Sequence, residues 1–346
     1  MVVLGLAVFV LIMHLLYENR ENEKTRKYIW IIACAAVVLF VGFRSDHTGA
    51  DTPNYINMFK EIPARSWEAI SHSEFRDVGF FYFLKALSTV TKSKLVFLVF
   101  TSFLSFIGVF DLVKRNTDKP VLALFFFVTL GNFFFLLTGM RQAIAMSMCM
   151  LSVRFIQERK LIPFLILVWL GAQMHRSAYI FIVTYFLATR KVTPVSMITN
   201  IIITVIAYFS YEFLLDVAND ILNYDYDVQE LSNGGIFYMV ILAIVILGFV
   251  TRDKWVTDNK NQTVIMNIGI MCGIIWTFRL IGRTAERPSM YFLNAIPIIL
   301  INSAETLEKE ESQKILLAIA VLLAFILFFK RATGLPYHFF WENIVK

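Results

Sequence analysis

The chain has 346 residues, of which 58% are hydrophobic and 17% are charged. This balance excludes a soluble globular protein, because a water-soluble surface needs a larger share of charged residues. The net charge of +6 does not indicate a nucleic-acid partner, because the basic residues lie in short segments between apolar runs, where membrane topology explains them.

Long apolar runs are the main feature of the sequence. Many approach the roughly 20 residues that cross a bilayer core as a helix, and runs such as 121–137 do not alternate as the strands of a membrane barrel do. We therefore predict an all-α, polytopic integral membrane protein that forms a single domain over residues 1–346. Cys34, Cys149 and Cys272 lie inside apolar runs, which argues against a disulfide framework.

Twelve apolar segments are predicted to cross the membrane. In chain order they are 1–17, 28–43, 95–113, 120–138, 140–157, 160–173, 175–189, 194–215, 236–250, 262–282, 288–303 and 314–330. We interpret the first as a transmembrane helix and not as a removed signal peptide, because it lacks a basic start and a small-residue cleavage site.

The loops between these segments alternate in charge. Every second loop is basic, namely 18–27, 114–119, 154–160, 190–191, 252–260 and 309–314. Basic loops face the cytoplasm, so both termini and the remaining loops are predicted to lie outside. Two outer segments, 44–94 and the acidic loop 216–235, are predicted elaborations of the single domain.

Residues 78–91 must not span the membrane if this alternation is to hold. Their apolar residues form one stripe at helical spacing, opposite Lys85, Ser88 and Lys92. The stripe consists of Phe80, Phe81, Phe83, Leu84, Leu87 and Val90. The segment is short for a span, so we predict a helix that lies on the outer surface; a re-entrant helix is the alternative.

The first outer loop contains Arg44, Asp51 and Tyr55. Thr52-Pro53 opens a short helix, and Asp51 or Thr52 is its N-cap. Asp51 is therefore either a capping residue or a carboxylate that takes a proton from an incoming hydroxyl, with Tyr55 one turn further along the same side. Arg44 ends the second span, and it is either an interface anchor or an anion ligand.

Two later turns carry further candidates. Arg141 and Gln142 open the fifth span, where free N–H groups, the helix dipole and a guanidinium together favour an anion. His175 lies in the break between two apolar stretches, close to Ser177. It is either a structural polar residue, or a base or hydrogen-bond donor to a leaving group.

Three arginines, Arg279, Arg283 and Arg287, lie within nine residues at the predicted outer boundary of the tenth and eleventh spans. Arg279 and Arg283 are four residues apart, so they are predicted to share a helix face. Unpaired arginines at membrane depth are costly, so an anionic partner is expected. That partner is either the substrate or Glu286.

The acidic loop contains Asp225-Tyr226-Asp227. Such a short pair of carboxylates is a weak metal pattern, and a solvated loop that contacts sugar through its tyrosines is the favoured interpretation. No metal and no cofactor are therefore expected.

Taken in chain order, these motifs resemble the EpsG family of capsule and exopolysaccharide polymerases, which are relatives of the Wzy polymerases. The family has an early Arg–Gly–Asp–Tyr loop, an acid-and-glycine entry to a helix, an Arg-Gln turn, a His-x-Ser turn and late arginines. The matching positions are Arg44, Gly49, Asp51, Tyr55, Asp77, Gly79, Arg141, Gln142, His175, Ser177, Arg283 and Arg287. Asp77-Val78 stands where the family usually has Glu-Pro, which puts a direct catalytic role of Asp77 in doubt. Ala50-Asp51-Thr52 departs from the usual Gly-Thr-Asp.

The resemblance implies a fold similar to the GT-C glycosyltransferases and a Wzy-type reaction. A growing glycan on undecaprenyl pyrophosphate would be transferred onto a new lipid-linked repeat unit, at the outer side of the bacterial inner membrane. Asp51 or His175 would be the base. The remaining substrate ligands would be Arg44, Arg141, Gln142, Arg279, Arg283, Arg287, Tyr55 and Ser177. The implied partners are undecaprenyl-pyrophosphate-linked oligosaccharides and the lipid bilayer, and a chain-length regulator is left open.

Two other functions remain open. A single-addition glycosyltransferase or a ligase would use the same donor and the same arginines. A transporter (flippase) of the same lipid-linked units would place its binding residues near mid-membrane within internal repeats. The middles of the spans are nearly free of charge, and no repeat is visible, so transport is the less favoured alternative.

Overall fold

The structure is a computed structural model and describes residues 2–72, 77–130, 132–222, 235–282, 286–334 and 336–342. Helix makes up 81% of the structure, and the described residues form no strand. The predicted all-α class is therefore confirmed.

The helices of the described residues follow one another with short connections. In chain order, the first ten are α1 (Val2–Glu18), α2 (Glu23–Gly42), α3 (Thr52–Glu61), α4 (Trp67–Ser71), α5 (Val78–Val90), α6 (Lys94–Asn116), α7 (Pro120–Leu130), α8 (Asn132–Leu136), α9 (Met140–Gln157) and α10 (Leu161–Met174). The others are α11 (Thr184–Leu187), α12 (Pro194–Phe209), α13 (Tyr211–Leu222), α14 (Gly235–Val250), α15 (Arg252–Trp255), α16 (Lys260–Phe278), α17 (Glu286–Leu293), α18 (Ile296–Glu305) and α19 (Glu310–Ala332). Short 3-10 helices cover Ile62–Ala64 and Arg176–Val183.

Four of the described helices, α2, α6, α16 and α19, are long and apolar enough to cross a membrane. A fifth span would consist of α12 and Tyr211–Val217, which are bent by 80°. Other apolar helices, α1, α5, α7, α10 and α14, have 10–17 residues. These lengths and compositions are those of a membrane protein, whereas the count of twelve spans stays a prediction.

Several predicted segments are interrupted in the structure. Segment 120–138 divides into α7 and α8, segment 194–215 into α12 and α13, and segment 288–303 into α17 and α18. A hydropathy pattern does not reveal such breaks, because apolar residues continue on both sides of them. The predicted acidic loop is also corrected, because it begins within α13; residues 223–234 lie outside the described residues.

The chain divides into two compact units. Unit 1 comprises Met1–Leu151, Ile166–Ala178 and Ala318–Lys346, and unit 2 comprises Ser152–Leu165 and Tyr179–Leu317. The expectation of a single domain over residues 1–346 stays a prediction.

Unit 1 is organised around α7, whose 11 residues are all buried. The helix packs against α1, α2 and α6. A helix that is apolar on every side must be surrounded by other parts of a protein or by lipid, and within unit 1 other helices surround α7.

The predicted outer segment 44–94 belongs to unit 1 and shares an apolar core with α6 and α9. The buried residues are Tyr55, Ile56, Phe59, Ile62, Ile70, Phe80, Phe81 and Leu84, together with Phe97 and Leu98 of α6 and Met140 and Ile144 of α9. The rings of Phe59 and Phe97 stack at 4.5 Å. Burying each such side chain contributes about 1.5–3 kcal/mol relative to exposing it to water. These contacts hold the segment against α6 and α9.

The predicted stripe on α5 is partly wrong. Phe80, Phe81 and Leu84 share a buried side, but Val90 of the same predicted stripe is 83% exposed, and Ser88, predicted on the opposite side, is buried. Ser88 tolerates burial because its hydroxyl donates to the carbonyl of Lys85 at 2.7 Å. The position of α5 at the membrane surface stays a prediction.

Unit 2 is built around α16 and α18. Residues 296–304 of α18 are all buried, and this helix packs against α14 and α16. Asn267 of α16 donates to the carbonyls of Ala188 and Arg190 at 2.9 and 2.7 Å. These bonds hold the end of the α11 segment against α16.

Candidate functional site

Asp77 joins two of the turns that contain predicted site residues. Its carboxylate accepts from Arg141 Nη1 at 2.8 Å and from the backbone N–H of Arg176 at 3.1 Å. The side chain is 3% exposed. Asp77 therefore connects the start of α5 with the start of α9 and with the break after α10, all within unit 1.

Gly79 allows the start of α5 to lie very close to the end of α10. A Cβ on Gly79 would lie 2.4 Å from Cβ of Gln173 and 2.8 Å from its carbonyl oxygen, closer than any side chain can come. The first turn of α5 is thus pressed against the end of α10, which brings Asp77 within reach of the turn that contains His175.

Arg141 lies in the first turn of α9, as predicted. Its guanidinium is bonded to Asp77 and lies 5.9 Å from the ring centroid of Phe80. The side chain is still 30% exposed, although its Nε is buried. The neighbouring Gln142 is buried.

His175 and Ser177 form a pair in the break after α10. His175 Nδ1 lies 2.7 Å from Ser177 Oγ, and both residues are buried. The backbone N–H of His175 donates to the carbonyl of Gly171 at 2.9 Å and ends the helix. The predicted location of His175 in a helix break is confirmed, and Ser177 fixes its ring.

Arg44 is buried, at 2% exposure, and its side chain therefore does not extend to the surface as an interface anchor would. Its Nη1 donates to the carbonyl of Val41 at 2.7 Å and its Nε to Thr52 Oγ1 at 3.2 Å. Burial lowers the pKa of Arg44 to about 10, although the nearby Tyr337 and Tyr55 favour its charged form. The guanidinium remains cationic at neutral pH. Its two hydrogen bonds connect the end of α2 with the start of α3.

The first loop reaches the turn that precedes Arg141. Thr52 Oγ1 donates to the carbonyl of Leu137 at 3.2 Å. Gly49 has a φ of 86°, and a Cβ there would lie 1.9 Å from the same carbonyl oxygen. Only glycine fits this left-handed position against the backbone, so Gly49 sets the distance between the two loops.

Asp51 occupies the N-cap position of α3, but its side chain makes no capping bond. The predicted capping role is therefore wrong for the side chain. Asp51 is half-buried, and among the described residues its carboxylate has no hydrogen-bond or ion-pair partner. Tyr55, one turn later, is buried with its ring edge-to-face on Phe80 at 5.7 Å, so Phe80 contacts both Tyr55 and Arg141.

Unit 2 contains the late arginines. Arg279 follows the end of α16 and pairs through Nε with Glu286 Oε2 at 2.9 Å. Glu286 is thus the anionic partner of Arg279 in the structure. Arg287 is exposed, and Arg283, predicted to share a helix face with Arg279, lies outside the described residues.

Potential metal ligands do not cluster in the described ranges: no group of three or more His, Cys, Asp or Glu side chains could hold an ion there. The weak metal pattern Asp225-Tyr226-Asp227 lies outside the described residues.

The structure therefore connects the first outer loop, the Arg141–Gln142 turn and the turn that contains His175 within unit 1. Their contacts run from Arg44 through Thr52 to Leu137, and from Arg141 through Asp77 to Arg176. Asp77 and Phe80 were not among the predicted site residues. The signal for Asp77 was present, because Asp77 directly precedes α5 and Gly79 lies in its first turn, where the resemblance has an acid-and-glycine entry.

A comparison with known protein families gives one clear result. The family model described as the EpsG family matches residues 27–342, which is nearly the whole chain. Searches of curated protein sequences and of solved structures find no match. The protein therefore belongs to the EpsG family, a family of Wzy-type polysaccharide polymerases.

Proposed function

We propose that the protein polymerises undecaprenyl-pyrophosphate-linked oligosaccharide repeat units. The growing glycan is transferred onto a new lipid-linked unit, and undecaprenyl pyrophosphate leaves. One observation carries this proposal beyond family membership: Asp77 and Thr52 join the loops that contain Arg44, Asp51, Arg141 and His175 in unit 1. The resemblance also implies a GT-C-like arrangement, which we retain as part of the proposal.

Arg141 is the proposed ligand of the donor pyrophosphate. Its bond to Asp77 fixes the guanidinium, while 30% of the side chain stays exposed. It also lies at the N-terminus of α9, where the backbone N–H groups and the helix dipole favour an anion. A fixed cation at this position would stabilise the negative charge that develops on the leaving pyrophosphate.

The transfer step needs a base for the acceptor hydroxyl. The hydroxyl oxygen forms a bond to the anomeric carbon, the bond from that carbon to the pyrophosphate oxygen breaks, and the hydroxyl proton passes to the base. Asp51 is favoured for this role, because its carboxylate is half-buried and has no partner among the described residues. His175 remains the alternative base, although Ser177 already occupies its Nδ1.

The remaining predicted residues include both supporting residues and further ligands in this proposal. Gln142, Tyr55 and Ser177 are buried beside the residues named above and would hold the substrate site in shape. Arg283 and Arg287 are kept as proposed pyrophosphate ligands. Arg44 is buried, so its contribution would be electrostatic rather than by direct contact. Arg279 is buried and paired with Glu286, so its proposed role is to hold the chain that follows α16.

Contacts within unit 1 support an outer-face site. Lys119, which follows α6, pairs with Glu18 at the end of α1, and the ammonium of Lys114 lies 5.8 Å from the ring centroid of Tyr17. At the other end of α6, Lys94 pairs with Asp46 of the first loop at 2.8 Å. Since a helix rises about 1.5 Å per residue, the basic loops and the site loops are separated by roughly a membrane thickness. Basic loops face the cytoplasm, which favours an outer position for the site in the bacterial inner membrane.

Purified protein in vesicles, supplied with synthetic lipid-pyrophosphate-linked repeat units, tests the function. We expect a ladder of products that differ by one repeat. A single added unit would identify a single-addition transferase or ligase, and transbilayer movement without any new glycosidic bond would identify a transporter.

The same assay tests the assignment of the base. We expect Asp51→Asn to abolish chain growth and His175→Gln to reduce it less. Normal growth by the Asp51→Asn variant would reject Asp51 as the base.

A further inference from the structure

A short segment after α19 lies across the first loop. We call residues 337–340 the strap. The backbone N–H of Ser45 donates to the carbonyl of His338 at 2.8 Å, and the N–H of Phe340 donates to the carbonyl of Phe43 at 2.9 Å. Arg44 and Phe339 thereby form an antiparallel bridge, which is the kind of pairing that fixes register between two extended segments.

Side chains reinforce this pairing. Thr48 Oγ1 donates to the carbonyl of His338 at 3.0 Å and accepts from its N–H at 2.9 Å. Tyr337 stacks on Phe40 at 4.5 Å, and its hydroxyl donates to the carbonyl of Phe40. Tyr337 is buried, so the strap is packed against the end of α2.

The loop that the strap holds leads directly to the proposed site. Arg44 is bridged to the strap through its backbone and bonded to Thr52 through its side chain. Thr52 in turn donates to the carbonyl of Leu137, four residues before Arg141. Gly49 lies against the same carbonyl. A continuous set of hydrogen bonds therefore runs from the strap to the turn that opens α9.

We propose that the strap positions the Arg44–Thr52 loop, and with it Asp51, relative to Arg141 for glycan transfer. This inference rests on the proposed function. The loop has no regular structure between α2 and α3, so its position depends on these bonds. Because a shift of about 1 Å in a reacting group can slow a reaction by about 100-fold, the strap would act as a positioning element for the transfer step.

Two conservative variants test the strap. Thr48→Val removes the hydroxyl that bonds to both backbone groups of His338, and Tyr337→Phe removes the hydroxyl that bonds to Phe40. We expect each to lower kcat for repeat addition by about tenfold and to leave KM within about twofold. The matched control is Glu342→Gln, which lies just beyond the strap and removes only an exposed contact to the His338 ring; its kinetics should be unchanged.

A second readout does not depend on polymerisation. Ser45 is buried under the strap, so a Ser45→Cys variant should react slowly with a water-soluble maleimide, measured above the background of the protein without that cysteine. We expect Thr48→Val and Tyr337→Phe to accelerate this labelling by about tenfold, because a bond that holds the loop closed is lost. If the unmodified protein adds no repeats, the proposed function fails, while labelling still tests the strap.

Three results would overturn the inference. The first is unchanged labelling in both variants. The second is faster labelling with unchanged kcat, which would show that the strap covers the loop but does not affect glycan transfer. The third is a loss of folded protein with normal kcat in the fraction that remains folded, which would make the strap a folding element only.

Discussion

The two units each contain an arginine–carboxylate pair with nearly the same distance and opposite burial. In unit 1, Arg141 pairs with Asp77 at 2.8 Å, and the carboxylate is 3% exposed while the arginine is 30% exposed. In unit 2, Arg279 pairs with Glu286 at 2.9 Å, and in this pair the arginine is 5% exposed while the carboxylate is 26% exposed.

This difference matters because the exposed member of a pair determines which charge a ligand meets. A buried carboxylate with an exposed arginine presents a cation whose position is already fixed. A buried arginine with an exposed carboxylate presents negative charge and repels phosphate. The Arg141 pair is therefore suited to an anionic substrate, whereas the Arg279 pair is suited to holding together the chain that follows α16.

The largest expected effect is on Arg141. Arg141→Ala should slow repeat addition by about 1,000-fold, or about 4 kcal/mol, because both the proposed phosphate contact and the counterion of Asp77 are lost. Initial rates with purified protein measure this. Arg20→Ala, an exposed arginine in a predicted cytoplasmic loop, is the matched control, and an equal loss in both variants would contradict the assignment.

The next effect should appear in stability and not in rate. Glu286→Gln removes the carboxylate charge that pairs with the buried Arg279, which should lower the free energy of unfolding by about 3 kcal/mol. Thermal or chemical unfolding in detergent measures the change. Protein that remains folded should keep its rate of repeat addition within about twofold. A large loss of rate in folded protein would instead assign this pair to the substrate site.

Charge-conserving substitutions compare the two pairs most directly. Arg141→Lys keeps the ion pair with Asp77 but loses the planar fork that binds phosphate through two bonds, so the rate should fall by about 30-fold, or about 2 kcal/mol. The melting temperature should change little. Arg279→Lys should leave the rate unchanged, and similar losses in both variants would remove the distinction between the pairs.

The smallest effect is expected for Arg279→Met. This change removes the buried cation, roughly keeps its volume and leaves Glu286 partly in contact with water, so the free energy of unfolding should fall by only about 1 kcal/mol. Unfolding experiments beside Glu286→Gln measure the difference. A larger loss than in Glu286→Gln would show that Arg279 stabilises unit 2 through contacts other than its carboxylate partner.

Much of the helical architecture could be predicted from the sequence. Long apolar runs indicated α1, α2, α6, α9 and α19 to within a few residues, because a helix that avoids water needs a continuous apolar run. The breaks between α12 and α13 and between α17 and α18 were missed. They lie inside apolar runs, where hydropathy is the same for a straight helix and a bent one.

The site was less predictable, for a different reason. Residue types and their positions at helix starts indicated Arg141, His175 and Asp51 individually. Their contacts depend on residues far apart in sequence, such as Asp77 with Arg141, and on a close approach at Gly79 that no periodicity reveals. The pairing of Arg279 with Glu286 was foreseeable as one of two alternatives, since the two residues are seven positions apart.

The complete burial of α7 has a consequence for how sequences of this family can diverge. All 11 of its residues are enclosed by other parts of unit 1, so even an exchange of leucine for phenylalanine must be matched by a change in a neighbour. None of the side chains of α12 is fully buried, so most of its apolar residues can be exchanged without a matching change in a neighbour. The helices α7 and α12 have similar hydropathy but should accumulate substitutions at different rates. Substitutions in α7 should be rare and accompanied by a change in a neighbouring residue. Those in α12 should be frequent and independent of one another.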